Sequence, residues 1–582
     1  MHIILENQVN ELSDEYELNN ITRKDKLFEY FCNFCVTSKH FLGRFNPIDV
    51  TTDEDDASID GLAIVIDGEL ILTVDDAEAC FNTHKTNLHV DIIFTQVKSG
   101  ELFKKTEISN FKLGLDDFLS LEPKLPNGKF NLECISILNV ILKNLKKVRN
   151  RRPNAKVYYC TSGIYKDERE ISACFEIIKN SVERSDLFHN VAVEALGRSE
   201  LLKLYSELTQ KNEAKLKLID YFGMPEMPGI PQAYVAIANA NSFINSLLKD
   251  SEGNLKQSVF EENVRSYLGE KNDVNTAIKR TLTSAEKQKL FSVLNNGITI
   301  SSPELTLTPN TKEVNLTNYQ IINGCQTSNT LYENQSLITD DVNVIIKLIE
   351  SPNTDISADV ISATNSQSDI SKEAFFGLRD KAKLVQKYFI AKNTDVKQEN
   401  RIYFERRQGE FRGLGYQATR IFDVKEVARC YSAMFLNSPH NSFRYVKAIF
   451  TTSQDRIFHN DDAESYYYAS CLALYKYQTL INGRKINAHN YIKRRWHIIQ
   501  AFKWICHGKV ETPEPSSKKA DAYAQKIINV LNSNTKSYIK LFEDAQSLLD
   551  SVGQPTDDEL KRARFATLLL EAAREKFKVN TL

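Results

Sequence analysis

Two stretches near the N-terminus leave little freedom in how they fold. IDGLAIVIDGELILTV (59–74) and HVDIIFTQVKSGELF (89–103) are dense in β-branched and aromatic residues, the composition of strands. The first carries Asp67-Gly68 between two apolar runs, a strong hairpin signal. In the second, Val90, Ile92, Ile93, Phe94 and Val97 predict one strand, yet Gln96 and Lys98 stand two apart on it and so share a face. An amide and an ammonium on one face of an apolar strand mean either a solvated sheet surface or a site. The residues alone leave both readings open.

The rest of the chain divides by its periodicity. At 582 residues it is too long for one core. RKDKLFEYFCNFCVTSKH (23–40) and FNLECISILNVILKNLKKV (130–148) have helical spacing, and KVYYCTSG (156–163) reads as a strand. Strand pairs followed by helix and strand predict an α/β domain over 1–214. The Pro- and Gly-rich GMPEMPGIPQ (223–232) lies near the start of a mixed α/β region, 215–440. Residues 441–582 carry apolar residues at three- and four-residue spacing, which predicts an all-helical domain with ETPEPSSKK (511–519) as an exposed connector. The expected fold class is α/β multidomain.

Composition excludes several classes. A net charge of −2 excludes a globally basic nucleic-acid coat, so any nucleic-acid contact must use local patches. No apolar run approaches the roughly 18 residues of a membrane helix, and no signal peptide is visible. The ten cysteines lack a framework spacing, which predicts reduced thiols and a cytoplasmic protein. Cys32 and Cys35 in FCNFC fall in a helical pattern with no second ligand pair, so buried thiols are expected rather than a metal site.

Metal-dependent phosphodiester cleavage needs oxygen ligands for a hard cation, a cationic group for developing charge and an activated water. Asp60 opens the first strand, and Gln96-Val97-Lys98 lies 36 positions on. Asp followed by Gln-x-Lys on a neighbouring strand resembles the PD-(D/E)xK restriction-endonuclease-like fold, in its Mrr-like form with Gln at the acidic position. The resemblance implies Mg²⁺ or Mn²⁺ held by Asp60, Gln96 and the Val97 carbonyl, with Lys98 as the catalytic lysine. It also implies a further carboxylate from the first helix, for which Glu29 is the candidate.

A second resemblance lies downstream. VFEENVRSYLG (259–269), VNTAIKRTL (274–282), FSVLNNGITI (291–300), YQIINGCQTSNTL (319–331), ATNSQSDI (363–370) and RIYFERRQGEF (401–411) resemble, in order, the blocks of the abortive infection phage resistance (AIPR) family. The resemblance implies a role in bacterial defence against phage, and some members of that family carry a restriction-endonuclease-like domain ahead of these blocks. Read physically, the blocks suggest a binding site. A strand (Tyr319 to Ile322), an Asn323-Gly324 turn and a helix start at Gln326, Thr327 and Ser328 offer backbone N–H groups to an anion. Asn296 and its neighbours Asn295 and Gly297 form a second polar turn, and Thr364, Asn365 and Gln367 a third. Arg265, Arg406 and Arg407 are candidate phosphate ligands. The competing reading makes these groups caps and turns around a core. Cys325 has no His partner nearby in sequence and is expected to be structural.

Two basic segments add to this: KNLKKVRNRRPNAK (143–156), and YIKRRWHIIQAFKW (491–504), whose Trp496 and Trp504 are expected in the core. The function expected from the sequence is a metal-dependent endonuclease acting on DNA rather than RNA in anti-phage defence. A homodimer would supply two centres, and a phage-derived or nucleotide trigger would restrain it. The alternatives are an inactive nucleic-acid- or nucleotide-binding sensor, or an NTPase switch.

Overall fold

A computed structural model describes residues 2–579 apart from 19–22, 42, 53–56, 84–85, 210–211, 251–252, 254, 257–258, 261–272, 352–375, 378, 407–409, 412–413, 444–448, 451–455, 484, 487–490 and 534. The chain is mixed α/β and forms two compact units. One comprises residues 1–209, 384–405 and 414–582, and the other residues 210–383 and 406–413. No described helix is long and apolar enough to cross a membrane.

The first unit begins with helices α1 (Ile3–Glu15) and α2 (Lys24–Ser38), then strands β1 (Gly61–Ile66) and β2 (Glu69–Ile71). Helix α3 (Val74–Thr83), strand β3 (Val90–Lys98) and helices α4 (Lys105–Leu119) and α5 (Lys129–Lys143) follow. Strand β4 (Asn154–Thr161), helix α6 (Arg169–Arg184), strand β5 (Asn190–Leu196) and helix α7 (Arg198–Thr209) complete the sequence. The strands form one sheet in the order β2-β1-β3-β4-β5. The β1–β2 turn is Asp67-Gly68, with φ of 51° and 80°, the positive pair that a two-residue hairpin requires. β1 and β3 are antiparallel, whereas β3, β4 and β5 are parallel.

Alternation along β1 and β3 makes this sheet the middle of three layers. Leu62, Ile64, Ile92 and Phe94 pack with Phe111, Leu115 and Phe118 of α4, and Phe94 meets Phe118 edge to face at 5.4 Å. Ala63, Val65, Ile93 and Val97 face the other way, onto Phe28, Phe31, Cys32 and Cys35 of α2. With both faces covered, the strands are apolar on both sides. Cys32 and Cys35 are buried there, and burial pushes both thiols well above the ordinary range.

The helical C-terminal part belongs to the same unit. Its helices are Val424–Met434, Glu464–Asn482, Arg495–His507, Ala520–Leu531, Thr535–Val552 and Ala563–Val579. Helix Glu464–Asn482 is apolar on nearly every side, with Tyr466, Tyr467, Leu472 and Tyr477 inaccessible, as a helix surrounded by others must be. Ion pairs join the later segments of this unit to its N-terminal part: Arg44–Glu405 at 2.7 Å, Lys425–Glu69 at 3.0 Å and Lys561–Asp75 at 3.0 Å. Trp496 and Trp504 are buried, and so are Arg494 and Lys503, so most of the second basic–aromatic segment is core. All ten cysteines are buried thiols outside any disulfide.

The second unit holds two sheets. Strands β6 (Glu213–Lys217), β7 (Asp220–Gly223), β8 (Ala233–Asn239), β9 (Ile298–Ser302), β10 (Glu304–Thr308), β11 (Glu313–Thr317), β12 (Gln320–Asn323) and β13 (Asn343–Glu350) make them. Their orders are β10-β11-β6 and β12-β9-β13-β8-β7.

Candidate functional site

The pairing of β1 with β3 builds the site. Gly61 stands opposite Thr95, and one step further along an antiparallel pair Asp60 stands opposite Gln96. Three donors converge on one oxygen of the buried Asp60 carboxylate. The Val97 N–H donates to Oδ2 at 2.7 Å, the Gln96 amide donates to it, and Lys98 Nζ lies 3.6 Å away. Lys98 keeps about a third of its side-chain surface exposed, while Asp60 and Gln96 are almost wholly buried. The site is therefore a charge at the end of a sheet covered on both faces, with one side open to solvent at Lys98.

The backbone of Asp60 is fixed by α2. Asn33 Nδ2 donates to the Asp60 carbonyl and to Thr51 Oγ1, each at 2.9 Å. A Cβ on residue 61 would fall 2.1 Å from Asn33 Oδ1, so Asp60 must be followed by glycine for Asn33 to reach it. Neither role of Asn33 is visible in the linear sequence, because the helix and strand that meet are 27 residues apart.

Gln96 Oε1 is buried with no hydrogen-bond partner among the described residues, a condition that costs about 1–3 kcal/mol if unrelieved. Its amide N–H group meets Asp60 instead, and the choice between amide O and N is fixed by that network. Turned over, the amide would present its oxygen beside the carboxylate. The Val97 carbonyl leaves the strand on the same edge as its N–H. One carboxylate, one amide oxygen and one carbonyl are the donor types that a hard divalent cation takes, so the residues fit such an ion. Among the described residues no group of three His, Cys, Asp or Glu side chains is gathered for a metal.

Among the described residues no hydrogen bond or ion pair joins Glu29 to this group. Glu29 lies on α2, the helix on the face opposite the Gln96 and Lys98 side chains, and its carboxylate pairs with Lys26 at 2.6 Å. Lys26 also donates to the Thr52 carbonyl at 2.7 Å. On the Gln96 face the acidic neighbour is Glu107, from α4. Tyr159 is the register partner of Gln96 on β4, and its hydroxyl donates to Glu107 Oε2 at 3.3 Å. Burial first, then the charges of Glu107 and Asp60, push the Tyr159 hydroxyl far above its ordinary range, which keeps it a donor. An acidic residue in the first turn of the helix after Gln-x-Lys was the available signal.

The basic segment 143–156 lies elsewhere. Residues 149–154 and His89 sit at the amino ends of β4 and β3, around a cleft of about 390 Å³ lined by His89, Arg149, Arg152 and His189. Lys98 is at the other end of β3, eight residues and ~25 Å away. Arg152 is also engaged by Asp186 at 2.6 Å.

In the second unit, strand, turn and helix fall where the sequence predicts: β12 ends at Asn323, Gly324 adopts φ 94°, and helix Cys325–Glu333 begins. Antiparallel pairing of β12 with β9 brings Asn323 opposite Thr299, so the exposed Asn296, just before β9, lies at the same sheet edge. Thr327 is half-buried on the helix's first turn, and Gln326 Oε1 accepts from Asn275 at 3.0 Å. Cys325 Sγ accepts from Asn329 at 3.2 Å and is buried. Arg406 is buried and donates to the Gly377 carbonyl at 3.2 Å. Arg265, Arg407 and the candidate residues Thr364, Asn365 and Gln367 lie outside the described residues.

No curated protein and no solved structure matches the chain. The family description "AIPR protein" matches residues 260–570, just over half of the length. The match takes in the turn of Asn323 and Gly324 and runs on through most of the helical C-terminal part, leaving Asp60, Gln96 and Lys98 ahead of it. By that match, the chain belongs to the AIPR protein family.

Proposed function

We propose that the protein is a metal-dependent endonuclease, acting on DNA rather than RNA, in abortive-infection defence against phage. Membership of the AIPR family supports the defence role. The observation that carries the nuclease reading is the convergence of Gln96, Val97 N–H and Lys98 on Asp60 Oδ2 at the end of the β1–β3 pair. Asp60, the Gln96 amide oxygen and the Val97 carbonyl would hold Mg²⁺ or Mn²⁺. When bound, the ion would polarise the phosphate and lower the pKa of a coordinated water. Lys98, partly exposed beside the carboxylate, would orient a water molecule and neutralise charge growing on the phosphoryl oxygens. Tyr159 and Glu107 would hold the Gln96 side of the site in place.

The test is incubation of the purified chain with DNA and with RNA, in Mg²⁺, Mn²⁺ or chelator, beside Lys98→Ala. Cleavage that needs metal and disappears in the variant is expected. Cleavage indifferent to Lys98→Ala would sink the assignment.

A second reading, a non-catalytic binding protein, is favoured by one observation: among the described residues the Gln96 side chain hydrogen-bonds to a single carboxylate, Asp60. A neutral amide holds a cation more weakly than a carboxylate. Calorimetry separates the two readings, since metal binding abolished by Asp60→Ala is expected only of the first.

A further inference from the structure

Immediately past Lys98 the chain enters a cleft of about 290 Å³ at the carboxyl ends of β3 and β4, where α6 and α7 begin. The carboxyl ends of parallel strands are where open α/β sheets take ligands. The two loops that form it are locked together. Ser162 Oγ donates to the Ser99 carbonyl at 2.7 Å, and Ser162 N–H donates to the Gly100 carbonyl at 3.2 Å. A Cβ on Gly163 would lie 1.7 Å from the Glu101 carbonyl oxygen, so only glycine lets the loops pass this closely.

The lining is of two kinds. Phe103 and Tyr165 supply aromatic surface, their rings 5.1 Å apart. The Tyr165 hydroxyl is tethered by Asp167 at 3.0 Å and Ser172 at 3.1 Å, which fixes the ring. Leu102 and Ile164 leave 68% and 48% of their surface in water. Between these apolar groups stand Lys166, Glu168 and Arg198, whose side chains make no ion pair or hydrogen bond among the described residues.

A bare phosphate would meet the Glu168 carboxylate, and a purely apolar ligand would strand the charges. A flat heterocycle carrying ring donors and flanked by phosphates satisfies every wall. The volume lies at the lower end of the ~300–1,000 Å³ of small-ligand sites, enough for one base. The geometry points to a pocket for a single unstacked nucleobase of the substrate strand, next to the phosphate at Lys98. Apolar and aromatic side chains cover the faces of the base, Glu168 accepts from its edge, and Lys166 and Arg198 take the neighbouring phosphates. The inference rests on the nuclease reading of Lys98 and names its substrate form: a strand with an accessible, unpaired base.

The experiment uses the full chain in EDTA, so that no cleavage intervenes, with a single-stranded oligodeoxynucleotide carrying 2-aminopurine and an end label. Binding is expected to change the 2-aminopurine emission. Leu102→Ser combined with Ile164→Ser, both at exposed positions, should abolish that change and weaken binding about tenfold, with the salt dependence retained. Arg198→Ala should instead lower the salt slope by about one. An emission change identical in the double variant overturns the pocket, as does a wild-type chain that binds no oligonucleotide. Complete displacement by a free mononucleotide overturns the strand assignment in favour of a small effector. Cleavage surviving Lys98→Ala would defeat the nuclease reading while leaving the emission result standing, so the two failures are distinguishable.

Discussion

Replacing Gln96 by Glu tests the site without depending on turnover. The Gln96 amide donates to the Asp60 carboxylate, so Gln96→Glu sets two carboxylates against each other in a buried position. Two unit charges ~3.5 Å apart at an effective dielectric of ~20 repel by about 5 kcal/mol. Protonation caps this cost: neutralising a carboxylate of ordinary pKa about 4.3 at pH 7.5 takes about 4.4 kcal/mol. The variant should therefore lose about 4 kcal/mol of stability in EDTA at pH 7.5. In it the folded pair holds a proton that the unfolded chain releases above pH ~4.3, so stability should fall as pH rises from there and recover on acidification. A second carboxylate also binds a cation more tightly, so millimolar Mg²⁺ should raise the variant's melting temperature more than the wild type's. Thermal melts in EDTA and in Mg²⁺, at pH 5.5 and 7.5, measure all of this. A variant that melts like wild type in EDTA, with an equal response to Mg²⁺, would refute the placing of residue 96 against Asp60.

Other outcomes follow from individual contacts. Lys98→Ala should cut metal-dependent cleavage by about 10²–10⁴-fold in a nuclease assay while leaving the melting temperature nearly unchanged, because Lys98 is a third exposed. Asn33→Ala removes two buried hydrogen bonds and should cost about 2–3 kcal/mol in denaturant titration. His497 is inaccessible, neither ring nitrogen has a hydrogen-bond partner among the described residues, and burial, with His440 adding, pushes it down to about 3. Unfolding therefore takes up a proton below about pH 6.5, and the stability tied to a neutral His497 is lost as pH falls toward 3. His497→Leu should flatten that acid slope in melts between pH 4 and 7. Gln326→Ala should leave cleavage intact if the turn at Asn323 and Gly324 is structural; loss of nucleotide binding in a calorimeter would instead make it a ligand site.

Local pattern was enough for the strands of IDGLAIVIDGELILTV and HVDIIFTQVKSGELF, for their hairpin, and for Gln96 and Lys98 sharing a face. Each depends only on the two-residue alternation of an extended chain or on the φ that Asp-Gly adopts. The strand–turn–helix at Asn323 was legible for the same reason, and the family blocks are linear by nature. That Asp60 meets Gln96, Val97 and Lys98 was implied by resemblance and not by local pattern, because a slip of one residue in the β1–β3 register would turn its neighbours to the other face. Register is decided by packing across both sheet faces at once. The same holds for the acidic partner: Glu29 and Glu107 both sit on helices flanking the sheet, and only the layer order puts α4, not α2, over Gln96. Strand direction alone sends the basic segment 143–156 to the far end of β3 from Lys98. The sequence by itself determined which residues could do chemistry; their company was decided by the tertiary structure, because it depends on which apolar faces bury one another.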